Sequence, residues 1–299
     1  MRTVSRHSRL SFRRRRRWPL LAWIGLVPAG LYLAALLLFA FFQDRLIYFP
    51  PAQRSAPGEA WISEVPVPTS DGESLIGWYS QAAPGCPTLL FLDGNAGGPA
   101  IQSGRWRRLH AHGVGFLGFA WRGYAGSSGQ PDEAGLHHDA RAGYDWLRAR
   151  NIAAGDIVVH GFSLGSGPAT RLAAERETGA LILEAPYFSL LDLMQQKLPL
   201  LPVGLLLRNR FRSDVWIGQV EAPVLIVHGD GDRLIPPTQS ERLFELAAGA
   251  ARTRIVMPGS DHATLARDGL YDHVWPFLDA GWGEEGAVPT CSGLAFGAR

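Results

Sequence analysis

From residue 88 onward the chain repeats one pattern: a short unbroken apolar run, then a stretch of helix length. The runs are TLLFLD (88–93), GFLGFAW (115–121), DIVVHG (156–161), ALILEA (180–185), PVLIVHG (223–229) and TRIVMPG (253–259). Helical spacing occupies the stretches near 99–112, 132–150, 164–177, 237–248 and 263–280, and Gly113, Gly249 and Gly281 follow three of them as stop signals. Apolar runs without alternation mean strands buried on both faces. Strands that take turns with helices predict an α/β fold, a mostly parallel open sheet with helices on both faces. Ahead of the repeat, WISEVPVPTS and ESLIGWYS straddle Asp71-Gly72, a hairpin signal.

Three segments break the rhythm. Residues 18–42 form an uncharged apolar run, long enough at about 1.5 Å per residue to cross a hydrocarbon core of about 30 Å. Pro28 inside it is tolerated in a membrane helix, and Trp18, Trp23, Phe41, Phe42 and Tyr48 weight both ends with aromatic rings. The run shows no polar face, unlike a core helix. It is also longer than a signal-peptide core and ends in FAFFQDR, which offers no small-residue cleavage site. The expectation is a transmembrane signal anchor. Residues 187–222 form an apolar, Pro-containing insertion between two sheet strands. Its leucines and valine at 198, 200, 201, 203, 205, 206 and 207 suit either core packing or a short lid over a pocket, in which case Leu201 and Leu205 would face an acyl chain. Residues 283–299 show no period and are expected to fray. The expected organisation is a basic tail (1–17), the anchor (18–42), a linker (43–59, Pro-rich at 50–58), an α/β domain (60–282) and the C-terminal tail.

Charge sharpens this picture. The overall net charge of +2 hides an asymmetry: residues 1–17 hold eight Arg and no acid, and the rest has 21 basic against 27 acidic residues. Positive charge confined to one terminal block speaks against a nucleic-acid binder, which would spread it over a folded face. With Arg13–Arg17 ahead of the span, the positive-inside rule places residues 1–17 in the cytoplasm and the domain on the outer, periplasmic or extracellular side. Cys86 and Cys291, far apart in sequence, fit either one disulfide or two thiols. No CxxC, Cys/His cluster or HExxH is present, so no metal site is expected.

Chemistry in an open parallel sheet gathers at the carboxyl ends of the strands. After IVVH comes Gly161-Phe162-Ser163-Leu164-Gly165, a GxSxG between a strand and a helix. The glycines allow a turn too sharp for side chains, and the helix start favours a developing negative charge near Ser163. After PVLIV comes a loop with two competing carboxylates, Asp230 and Asp232. After TRIVMPG comes Ser260-Asp261-His262. The order Ser…Asp…His is that of nucleophile-elbow hydrolases. After TLLFL, Asp93-Gly94-Asn95-Ala96-Gly97-Gly98 can aim a backbone N–H at an oxyanion, beside that of Leu164. No Lys-Ser/Thr pair follows it, so it is not a phosphate loop.

Four stretches together resemble the α/β-hydrolase superfamily, in particular single-pass membrane-anchored α/β-hydrolase-domain (ABHD) serine hydrolases. They are QDRLIYFP (43–50), FLDGNAGG (91–98), WRGYAGSSG (121–129) with GFSLGSGPA (161–169), and HGDGDRLIP (228–236) with SDH (260–262). The resemblance implies Ser163 as nucleophile, His262 as general base and acid, and Asp232, selected over Asp230 by HGxxDxxxP, as orienting carboxylate. It implies Asn95 and Leu164 as oxyanion N–H donors, and no cofactor. The chain departs from the family at Asp93, where relatives usually carry His before the Gly, and Asp93 is expected to turn away and bond its own loop. The implied reaction is acyl transfer to water from a small-molecule or lipid ester. A peptidase or thioesterase on the same fold, or a non-catalytic anchored binding protein, is the alternative.

Overall fold

The computed structural model describes residues 20–51, 53–249 and 251–279. The chain forms two compact units, residues 1–41 and 42–299. In the first, the described residues are helical: α1 runs from Leu20 to Ile47 and includes Pro28. Its segment Trp23–Ile47 has a mean hydropathy of 2.3 and is long and apolar enough to cross a membrane.

The second unit is an eight-stranded sheet flanked by helices. The strands are β1 (Ser63–Pro68), β2 (Ser74–Ser80), β3 (Thr88–Leu92), β4 (Gly115–Phe119), β5 (Ile157–Phe162), β6 (Ala180–Glu184), β7 (Val224–Gly229) and β8 (Arg252–Met257). The helices are α2 (Ser103–Ala111), α3 (Glu133–Arg148), α4 (Ser166–Glu175), α5 (Leu190–Lys197), α6 (Val203–Leu206), α7 (Ser213–Trp216), α8 (Thr238–Leu246) and α9 (Leu270–Asp279). Strand order is β1-β2-β4-β3-β5-β6-β7-β8. The hairpin β1–β2 and the β2–β4 pairing are antiparallel, and the rest of the sheet is parallel. Every residue of β3, β4, β6 and β7 is buried, as unbroken apolar runs require. On one face, Trp106 and Leu109 of α2 and Tyr271 and Val274 of α9 share a core with Leu89, Phe91, Phe116, Val158 and Ile182. Trp106 stacks on Phe116 with ring centroids 4.3 Å apart.

Element boundaries follow local chemistry. Asp132 caps α3, its carboxylate accepting from the Gly135 N–H at 2.6 Å. The helical stretch expected from 263 starts only at Leu270. Before it, Thr264 Oγ1 accepts from the Asp261 N–H at 3.0 Å and holds a turn. The insertion 187–222 is broken into α5, α6 and α7, with Pro199 and Pro202 between the first two. Residues 43–51, expected as part of a linker, belong to the second unit, and Gln43, Ile47 and Tyr48 are buried. The expected tail 283–299 and Cys291 lie outside the described residues.

A buried ion pair joins α2 to the sheet. Arg105 donates to both oxygens of Glu184, at 3.2 and 2.9 Å, and to the Tyr271 hydroxyl at 3.0 Å. His160 Nε2 lies 3.1 Å from the same carboxylate. Burial raises the Glu184 carboxyl, but Arg105 and His160 outweigh it and hold the pKa below its ordinary value. Removing one partner strands the other charge without solvent. Glu184→Ala should therefore cost about 3–5 kcal/mol in denaturant unfolding, and Glu184→Ala with Arg105→Met distinctly less.

Candidate active site

Strand β5 passes into α4 through a turn with no room for side chains. In register, Gly161 of β5 lies opposite Leu92 of β3. A Cβ on Gly161 would stand 2.5 Å from Ala169 Cβ, and one on Gly165 2.0 Å from the Leu92 carbonyl oxygen. Between them Ser163 is forced to φ +49°, a left-handed conformation that costs a non-glycine residue on the order of 1–3 kcal/mol. The strain lifts Ser163 Oγ to the carboxyl edge of the sheet. Ser166 Oγ donates back to the Ser163 carbonyl at 2.6 Å and braces the turn.

His262 stands past β8 on the 258–269 loop. Its Nε2 lies 2.8 Å from Ser163 Oγ and its Nδ1 2.7 Å from Asp232 Oδ2. The acceptor-only carboxylate assigns the proton to Nδ1, which leaves Nε2 to accept from the serine hydroxyl. The Phe162 ring, 5.4 Å from the imidazole centroid, limits its tilt. Asp232 is itself held. Its Oδ1 accepts from the N–H groups of Leu234 and Ile235 at 2.9 and 2.8 Å, and His228 Nε2 lies 3.2 Å from Oδ2. Burial alone would raise its pKa, but the bonds from His228, His262 and Ile235 hold the carboxyl far below the ordinary range. Asp230 does other work: its Oδ1 accepts from the Gly259 N–H at 2.7 Å and joins two loops. The structure thus brings Ser163, His262 and Asp232 together and leaves Asp230 apart.

Across from the elbow runs the β3–α2 loop. Asn95 and Leu164 flank Ser163 along one cavity wall. Asp93 turns into its own loop: Oδ1 accepts from the Gly94 N–H at 2.7 Å and from Gln102 Nε2 at 2.9 Å. Gln102 Oε1 in turn accepts from Arg105 Nε at 3.2 Å. The carboxyl is fully enclosed, and burial, only partly offset by the Gly94 N–H, Arg105 and Gln102, pushes it up to about 6. Tyr187, three residues past the end of β6, donates its hydroxyl to the Leu164 carbonyl at 3.0 Å and fixes the elbow peptide. Sequence reading passed over Tyr187, Gln102 and Arg105. Only the position of Tyr187 past a strand end could have flagged it.

The cavity beside Ser163 measures about 340 Å³. Leu190, Leu193 and Met194 from α5, Leu46, Ile47 and Phe49 from the segment after the apolar span, and Leu234 and Ile235 line it. Leu201 and Leu205 do not line it, and Leu205 is 85% exposed. Val203, Leu207 and Phe211 are core instead. The insertion therefore divides its apolar residues between core and cavity, and the cavity share comes from α5. Among the described residues no group of three or more His, Cys, Asp or Glu is placed to hold a metal ion.

Asp93 carries a pH signature. A carboxyl raised in the folded state binds its proton more tightly there than in the unfolded chain, so its contribution to stability is lost as pH rises from about 4 through about 6. Asp93→Asn keeps the Oδ1 acceptor and removes the charge. Compared with the parent, it should gain on the order of 2 kcal/mol between pH 4.5 and 7.5 in thermal unfolding. An equal pH dependence in both proteins would refute this.

No family model matches the sequence. The chain is 36% identical over 260 residues to the uncharacterised protein Rv2307c of Mycobacterium tuberculosis, covering 85% of this chain and 90% of that one. It is 29% identical over 251 residues to the α/β-hydrolase domain-containing protein WAV2 of Arabidopsis thaliana, covering 73% and 80%. It is 30% identical over 204 residues to the lysophosphatidylserine lipase ABHD12 of Xenopus tropicalis, covering 59% and 51%. Among solved structures, an α/β hydrolase of Vibrio vulnificus superposes with a TM-score of 0.64 at 22% identity, covering 79% of this chain and 92% of that one. Strand order, the strained serine turn and these relatives agree: the chain belongs to the α/β-hydrolase superfamily, alongside the α/β-hydrolase-domain proteins, and is an enzyme of the serine-hydrolase type.

Proposed function

We propose that this protein is a membrane-anchored esterase of lipid-like acyl esters, with Ser163 as nucleophile, His262 as general base and acid, and Asp232 as orienting carboxylate. The observation that carries the reading is the unbroken line Ser163 Oγ–His262–Asp232, at 2.8 and 2.7 Å, opening on an apolar cavity. Ser163 Oγ attacks the acyl carbon as its proton passes to His262 Nε2. The imidazolium is stabilised by Asp232 at Nδ1–H. The tetrahedral oxyanion is received by the backbone N–H groups of Leu164 and Asn95. Collapse breaks the ester C–O bond, and His262 Nε2–H protonates the departing alcohol oxygen. Water, deprotonated by His262, then cleaves the acyl-serine and releases the carboxylic acid. The largely apolar lining favours an acyl chain over a peptide, and a lysophosphatidylserine lipase among the relatives supports a lipid ester.

In the same reading residues 1–17 are the cytoplasmic tail and 18–42 the anchor. The hydrolase domain follows on the outer side, with 43–59 leading into 60–282 and residues 187–222 as its lid. The Arg block ahead of an uncharged span supports this orientation.

A fluorophosphonate should attach to Ser163. Ser163→Ala should abolish both labelling and ester turnover while the melting temperature stays close to that of the parent. Turnover by purified Ser163→Ala would end the assignment. Asp232→Asn should lower kcat by about 10³–10⁴-fold, because the imidazole loses its tautomer control, and Asp230→Asn by far less. For orientation, an alkaline phosphatase fused after residue 279 should be active in a bacterial host; activity from a cytoplasmic reporter at that junction instead would reverse it.

A further inference from the structure

The stretch that follows the apolar span, expected as part of a linker, is bonded along its length. Gln43 donates its side-chain amide to the Leu206 carbonyl at 3.1 Å and accepts from the Arg208 N–H at 2.8 Å. Asp44 accepts from Asn209 Nδ2 at 2.7 Å and pairs with Arg208. A solvated linker would have none of this order.

The strongest tie is to Asn95. Its Oδ1 accepts from the Phe49 N–H at 2.9 Å and from the Tyr124 hydroxyl at 2.8 Å, and its Nδ2 donates to the Ile47 carbonyl. A carboxamide offers one acceptor and one donor side by side. Here they meet the C=O of one residue and the N–H of the second residue along, as a neighbouring strand would. A slip of one residue would break both bonds, so Asn95 sets the register of the segment. That register matters because Leu46, Ile47 and Phe49 line the cavity at Ser163 together with Leu190, Leu193 and Met194. Leu46 and Phe49 are half exposed, so they stand at its rim, while Ile47 is buried.

We infer that residues 46–49 form a wall of the acyl-chain site and that Asn95 is the positioning residue that locks this wall to the loop beside Ser163. The chain leaving the apolar span is thus a specificity element: it limits the acyl length that the site accepts. The inference rests on the reading of Ser163 as nucleophile. It extends that reading by assigning acyl-length selection to a segment with no part in the bond-breaking steps. Asn95 accordingly acts in two ways, its backbone N–H towards the oxyanion and its side chain on the wall.

The test uses the full-length protein in detergent, with p-nitrophenyl acetate, butyrate and octanoate. In Leu46→Trp the larger rim side chain should lower the octanoate-to-acetate ratio of kcat/KM about tenfold, the loss expected when some two methylenes no longer find apolar surface. Asn95→Ala keeps the backbone N–H and frees the wall. It should raise KM for octanoate more than for acetate, and lower the same ratio. A ratio equal to the parent's in Leu46→Trp, or an equal fall for all three esters in both variants, would overturn the inference. Leu46 stands at an exposed rim, so its variant remains informative if Asn95→Ala does not fold. Failure of the underlying reading shows separately, as a parent protein in which fluorophosphonate does not label Ser163.

Discussion

The constraint on which the site depends is the close approach of the turn after β5 to the end of its neighbour β3. The Leu92 carbonyl oxygen occupies the space that any side chain at position 165 would need. Ala169 and the Gly165 carbonyl fill the space at 161. The chain clears both only by a tight turn, and Ser163 absorbs the strain at φ +49°. Such strain persists only where the surroundings over-determine it. Here the sheet on one side, the start of α4 on the other and the Tyr187 hydroxyl on the Leu164 carbonyl do so. One steric conflict thus sets the position of the serine oxygen, and the loops bearing His262 and Asp232 meet it.

Around this point the orienting carboxylate is buried but fully answered. Asp232 accepts bonds from two backbone N–H groups and an imidazole, so it stays ionised against the pull of burial. Beneath the sheet, Arg105 links Glu184 and Tyr271 to Gln102, and through Gln102 to Asp93 in the loop that faces Ser163. That chain holds the loop from behind. Asp93, where the resemblance implies histidine, bonds the Gly94 N–H and Gln102 and turns into its own loop.

The apolar insertion and the segment after the span both line the same cavity. Neither encloses it alone. Leu190, Leu193 and Met194 come from a helix 27 residues past Ser163, and Leu46, Ile47 and Phe49 from residues more than 100 positions before it. The Gln43 and Asp44 bonds to residues 206–209 fasten the two segments to each other.

Much of this was legible in the chain. The alternation of unbroken apolar runs with helical stretches specifies a parallel sheet, because only strands covered on both faces can be apolar throughout. Order and spacing place Ser163, Asp232 and His262 past the ends of β5, β7 and β8, where an open sheet gathers its chemistry. Residue types at the strand end leave Asp230 and Asp232 in competition; the HGxxDxxxP resemblance selects Asp232, and the fold sends Asp230 to Gly259 and Asp232 to His262. Leu201 and Leu205 differ from Leu190 and Leu193 in nothing that composition records, yet the second pair meets the cavity. Residues 43–49 after the apolar span read as part of a tether because their bonding partners, Asn95, Leu206, Arg208 and Asn209, lie far along the sequence. Local pattern determined the elements and the chemistry at their ends. Contacts between distant residues, which no local period encodes, decided the walls, the register and the roles of neighbours.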